Sequence, residues 1–149
     1  MIGPFPVAST IARLLGQCPA LLQVGDAADL ATALAQQPNR DVAAFVTLAE
    51  VAKPPQLSGP MTLQQIAVTI RVVLFVRTAA DADTGAAARL QMDSEVIPQI
   101  RRALIGWTPD DAIESIYLQA GRDEGFKAGS LCVQEIFNTS YRLTNQVQP

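Results

Sequence analysis

Carboxylates are the side chains in this sequence whose spacing comes closest to chemistry. Asp81-x-Asp83-x-Gly85 opens like a calcium-binding EF-hand loop. Such a loop needs glycine at its sixth position and a bidentate glutamate at its twelfth. Here those positions hold Ala86 and Met92, so Asp83 reads instead as the cap of a following helix. Asp110-Asp111 and Asp123-Glu124 are adjacent acids. General acid–base work needs two carboxylates held at a set separation in a cleft, and both pairs fall in turn-like sequence where acids are solvated.

The chain has no histidine. That removes Ser-His-Asp and Cys-His catalysis, imidazole metal ligation and a histidine pH switch. Cys18 and Cys132 are far apart and neither belongs to a C-x-x-C pair, so they read as two reduced thiols, with no zinc site. Neither glycine-rich phosphate loop occurs. Asn138-Thr139-Ser140 matches a glycosylation sequon, but it falls inside a predicted strand. No catalytic, cofactor-binding or metal-ligating residue is assigned, no cofactor is expected, and the chain does not read as an enzyme. Trp107, the single tryptophan, is read either as an interface anchor or as a lid over the end of the sheet.

The elements that would position these residues follow from periodicity. Pro6 and Gly16 bracket a short amphipathic helix over 7–16, and residues 21–24 suggest a short strand. Asp26 caps a helix, with Asp29 three residues later completing a looser capping box, and Pro38-Asn39 stops it. Residues 42–51 alternate as a strand, with Val42, Ala44, Val46 and Leu48 on one face. The stretch A-K-P-P-Q-L-S-G-P reads as a long loop. Leu63–Arg77 is the strongest strand. Ile66, Val68, Ile70, Val72, Leu74 and Val76 line one face, and Ala67, Thr69, Arg71, Val73, Phe75 and Arg77 the other.

A helix capped by Asp83 is predicted to run to about Ile105, with Leu90, Val96 or Ile97, Ile100 and Leu104 inward and a kink at Pro98. Gly106 ends it. Residues 113–118 and 130–143 form a closing hairpin around a polar turn, G-R-D-E-G-F-K-A-G. Leu131, Val133, Phe137, Tyr141 and Leu143 share one face of its second strand. Glu135 interrupts them, either at a bulge or facing a neighbouring subunit's cation. The fold class is therefore α+β: one domain spanning residues 1–149, with a mostly antiparallel sheet of about four to five strands and two or three helices packed on one face.

The 149 residues carry 11 Lys+Arg against 14 Asp+Glu, a net charge of −3. A negative balance whose longest basic cluster is Arg101-Arg102 argues against nucleic acid as a partner. Residues 66–76 are too short and too charged to span a membrane, and the first 15 residues lack the basic start of a secretion signal. Mean hydropathy is +0.20 with only 17% charged residues, which points to apolar surface left over for other protein copies.

From end to end the chain resembles the tail terminator family of long-tailed bacteriophages and prophages. The likeness rests on V-G-D-A-A-D-L-A-T-A-L paired with V-A-A-F-V-T-L-A, the proline-rich loop leading into I-A-V-T-I-R-V-V-L-F-V-R, D-A-D-T-G before a long helix, A-L-I-G-W-T-P at its end, and a hairpin closing on F-N-T-S-Y-R-L. The resemblance implies a structural minor tail protein of the virion, assembled in the bacterial cytoplasm. It implies a hexameric ring that caps the tail tube, ends its polymerisation and offers a surface for head joining. Its partners would be its own copies, the tube protein and a head-completion protein. It carries over no site residue.

A ring subunit uses a heterologous interface, in which two different surfaces meet. Arg71 and Arg77 are candidates for inter-subunit salt bridges or a ring lining, equally a solvated sheet face. Changing both to Glu is expected to weaken assembly without unfolding the monomer. Phe75 and Trp107 are further interface candidates. Arg122, Asp123, Glu124 and Lys127, in the predicted hairpin turn, and the proline-rich loop are candidate docking elements. Two rival readings are another head–tail connector or tail-completion protein, and a small-molecule-binding α+β domain, which would need a pocket of converging polar groups.

Overall fold

The structure is a computed structural model that describes residues 3–35, 41–77, 85–127 and 129–146. It is built on β4 (Met61–Val76), the strand with the clearest two-residue period. The side chains predicted to share one face do so: Ile66, Val68, Ile70, Val72, Leu74 and Val76 all enter the main core. Burying an aliphatic side chain of this size stabilises the fold by roughly 1.5–3 kcal/mol, so this row organises the sheet.

On one side β4 pairs antiparallel with β2 (Val42–Ala52), and on the other with β6 (Ser130–Gln146). β5 (Tyr117–Lys127) pairs antiparallel with β6 and forms one edge. β1 (Gln23–Gly25) lies beside β2 at the other edge, giving the order β1-β2-β4-β6-β5. The fold is α+β with a mostly antiparallel sheet, as predicted, and the described residues form six strands. The extra strand comes from the proline-rich stretch predicted to be a loop. β3 (Gln56–Ser58) folds back onto β4 through Gly59, whose φ of +60° makes the tight reversal. All three β3 residues are exposed, so they carry no hydrophobic period to reveal the strand.

α2 (Ala27–Ala35) connects β1 to β2, which run parallel. Parallel neighbours need a crossover, and this helix supplies it. The predicted capping box is present: Asp26 Oδ1 accepts the N–H groups of Ala28 and Asp29 at 3.0 and 3.1 Å, and Asp29 Oδ2 accepts the Asp26 N–H at 3.0 Å. α2 places Leu30 and Ala33 against Ala43, Phe45, Val73, Phe75 and Cys132, the side of the sheet away from the main core. There Phe45 and Phe75 meet edge to face, with ring centroids 5.7 Å apart. α1 (Val7–Gln17) and the long helix pack on the main-core side. The helices therefore cover both faces, not one, because the crossover has to return over the face opposite α1.

The long helix is continuous from α3 (Ala86–Gln91) through a π turn (Met92–Val96) into α4 (Ile97–Leu104). Pro98 lies at the start of α4, within this helix. Proline has no N–H and its ring crowds the carbonyl four residues back. The helix widens by one residue just before Pro98, where the Ile97 N–H reaches the Met92 carbonyl. This changes the phase of the inward stripe, which becomes Ala88, Met92, Val96, Ile100, Ala103 and Leu104. Leu90, expected to point inward, is 68% exposed. The predicted cap at Asp83 lies outside the described residues.

Candidate assembly surfaces

The polar residues of the predicted hairpin turn lie in the edge strand itself. β5 runs through Arg122, Asp123, Glu124 and Lys127, with register shifts between Leu118 and Ala120 and between Asp123 and Gly125. Bulges and charges of this kind defend an edge against indiscriminate pairing. Their turn-like composition hid the strand. Gly125 sits at φ +71° beside the second shift. Asp123 bonds to Arg89 of α3 and also accepts the Gly125 N–H at 2.9 Å. Its carboxyl is held below the ordinary aspartate value first by that N–H, with the Arg89 charge adding to it. Lys127 Nζ stands 3.4 Å from Glu124, and Arg122 is exposed.

Arg71 is exposed on the same sheet face as Val73 and Phe75, on the part that α2 does not cover, opposite Ile136 of β6. Arg77 behaves differently. Its Nη2 lies 3.1 Å from Asp41 Oδ1, and its N–H bonds the Asp41 carbonyl, so it ties the end of β4 to the start of β2. Phe75 is fully buried beneath α2 and presents no surface. Trp107 is half-buried against the core with the Arg13 guanidinium 5.4 Å above its ring, while Arg13 Nε bonds the Ala103 carbonyl at 3.0 Å. It closes the seam between α1 and α4.

Two polar relationships escaped the sequence reading. Glu135 is 1% exposed and receives Arg101 Nε at 2.7 Å and Nη2 at 3.0 Å. Its cation is thus on α4 of the same chain rather than on a neighbouring subunit, and β6 carries no bulge there. An acid in an otherwise apolar alternation, together with arginines in a helix's last turn, was the available signal. The second is Glu50, which accepts the Phe5 N–H at 2.7 Å and the Tyr141 hydroxyl at 2.6 Å, fastening the N-terminal segment to the sheet.

The other motifs fall where chemistry is not organised. Asp110 Oδ1 accepts the Ala112 N–H at 2.8 Å and shapes a turn. Asn138 faces Thr69 within the sheet at 3.4 Å. Cys18 and Cys132 are free, buried in clusters on opposite sides of the sheet, and burial pushes each thiol up to about 11. Asp81 lies outside the described residues. Among the described residues no group of three or more acids and cysteines is placed to hold a metal ion. No described helix is long and apolar enough to cross a membrane.

What the fold does offer is strand edge. The outer side of β5 has no strand partner among the described residues, and β1 pairs with β2 at residues 43–45, with the Leu22 N–H on the Val42 carbonyl, so residues 46–52 of that edge have no strand partner among the described residues. An unpaired strand edge is a template for pairing with another chain. The family model for phage tail terminator protein matches residues 1–147. The chain belongs to the phage tail terminator family. Membership makes this fold a structural part of phage tails that works in contact with other tail or head proteins. A search of curated proteins returns no match.

Proposed function

We propose that this protein assembles into a ring that caps the tail tube, stops addition of tube subunits and presents a surface for head joining. The observation that carries this reading is the pair of open edges, β5 and the part of β2 that β1 does not cover, at opposite ends of one sheet among the described residues, in a chain matched by the terminator family along residues 1–147. Two different edges can meet in a head-to-tail contact, and such contacts close when the rotation allows. The hexameric number and the order of events, cap first and head second, belong to the same proposal.

The test is tube growth. Purified tube protein is polymerised with and without this protein, and tube lengths are measured by electron microscopy. Capping predicts shorter tubes bearing end density, with length falling as the protein is added. Unrestricted growth with the protein absent from tube ends sinks the proposal. Unrestricted growth together with binding to completed heads favours a connector instead.

A further inference from the structure

The two open edges carry matching side chains at nearly the same height. At one edge, Val51 of β2 lies in the row Val51–Ala67–Ser140, and Lys53 stands one row further, its N–H bonded to Gln65 opposite Arg142. At the other edge, Tyr117 of β5 lies in the row Ala49–Thr69–Asn138–Tyr117. Glu114 stands one row further in the same direction, its N–H bonded to the Ser140 carbonyl.

All four side chains belong to the open part of the sheet face on which α2 packs. Val51 and Lys53 have the opposite parity to Val42, Ala44, Val46 and Leu48, which face the main core. Tyr117 precedes Leu118, and Glu114 follows Ile113, both of which pack into the main core. Val51 is 66% and Tyr117 57% exposed, and neither Lys53 nor Glu114 has an ion-pair partner among the described residues.

We infer that successive copies of this chain join head to tail along these edges, with Tyr117 of one copy seated on Val51 of the next and Glu114 paired with Lys53. Sliding one edge past the other by a single row, about 7 Å, brings both pairs into contact at once. One edge reads apolar then cationic, the other apolar then anionic, in the same direction. That order fits a second copy of this chain and sets the two unpaired strand edges side by side. The surfaces differ, so the contact is heterologous and leaves a free edge at each end until a ring closes. A one-row shear at each junction is accommodated when the strands tilt, as they do in closed barrels.

The inference rests on the self-assembly proposed above, and its test is independent of the tube. Tyr117→Asp and Val51→Asp each break one edge at an exposed position, so circular dichroism and melting are expected to match the unaltered chain. By native mass spectrometry each variant alone stays monomeric at concentrations where the unaltered chain assembles. Mixed in equal amounts they stop at a one-to-one dimer, because each retains the edge the other has lost.

As a second measurement, Lys53→Glu or Glu114→Lys alone weakens association roughly tenfold, and the two reversals in one chain restore it. The inference is overturned if either Asp variant assembles like the unaltered chain. It also fails if Tyr117→Asp abolishes assembly while Val51→Asp does not, which would mark a two-fold β5 contact, or if the unaltered chain never self-associates. Assembly through these edges without shortening tubes would leave the inference standing and remove the capping function.

Discussion

Arg101 and Glu135 form a forked pair across the layer between α4 and β6, with Nε on Oε2 at 2.7 Å and Nη2 on Oε1 at 3.0 Å. The pair is unequal. The carboxylate is 1% exposed while the arginine side chain is 42% exposed. Loss of the arginine strands a charge that cannot return to water. Loss of the acid leaves a guanidinium that can.

Arg101→Ala is therefore expected to destabilise the fold by about 2 kcal/mol, lowering the melting temperature by roughly 4–8 °C for a chain of this size. Adding Glu135→Leu to that variant recovers part of the loss. Thermal melts of the single and double variants check this, and an unchanged Arg101→Ala melt would refute it.

Gly121 lies directly across from Glu135, and a Cβ there would stand 3.0 Å from Glu135 Oε1 and 3.5 Å from Arg101 Nη2. Gly121→Ala should cost about 1 kcal/mol by crowding the pair. The same substitution should cost much less in the Arg101→Ala, Glu135→Leu background. Equal costs in both backgrounds would show that the glycine serves the strand rather than the pair.

The Tyr141 hydroxyl is pushed up to about 12, first by burial and then by its hydrogen bond to Glu50. The folded state thus holds this proton more tightly than the unfolded chain, whose tyrosine value is about 10. The stabilisation is complete below pH 10 and is lost as pH rises from 10 to 12. Denaturant melts across this range should show falling stability that Tyr141→Phe reduces, most clearly above pH 11, where the raised Cys18 and Cys132 thiols have already made their own contribution to the loss. A slope identical in the two proteins would contradict the assignment.

Cys18 and Cys132 should resist thiol reagents in the folded protein at pH 8, because both are buried with thiols pushed up to about 11. Both should react promptly in denaturant. Rapid labelling of either without unfolding would place it at the surface.

Arg71 and Arg77 should separate under charge reversal. Arg77→Glu faces Asp41 and is expected to destabilise the monomer by about 0.5–1 kcal/mol. Arg71→Glu, on the open face, should leave the melt within about 0.5 kcal/mol. A weakening of assembly confined to Arg71→Glu would place that face against a neighbour, and unchanged assembly in both variants removes them from the account.

The sequence by itself determined which strands form the centre and which side chains they bury. The alternation of β4 and β6 is a local property of the chain, and so is the Asp26–Asp29 cap. Burial follows directly from that period. The whole-chain likeness to the terminator family was also legible, in the G-W-T-P turn and the final hairpin. Tertiary structure decided what depends on partners distant in the chain. The polar composition of 121–127 and the proline-rich stretch 52–60 read as loops, yet pairing to β6 holds the first as strand and pairing to β4 holds Gln56–Ser58 of the second as strand. The side of the sheet that α2 covers followed from the parallel crossover, and Glu135 acquired its arginine 34 residues away on α4. The heights of Val51 and Lys53 at one edge, and of Tyr117 and Glu114 one row away at the other, are set by strand order and register, which periodicity along one strand does not contain.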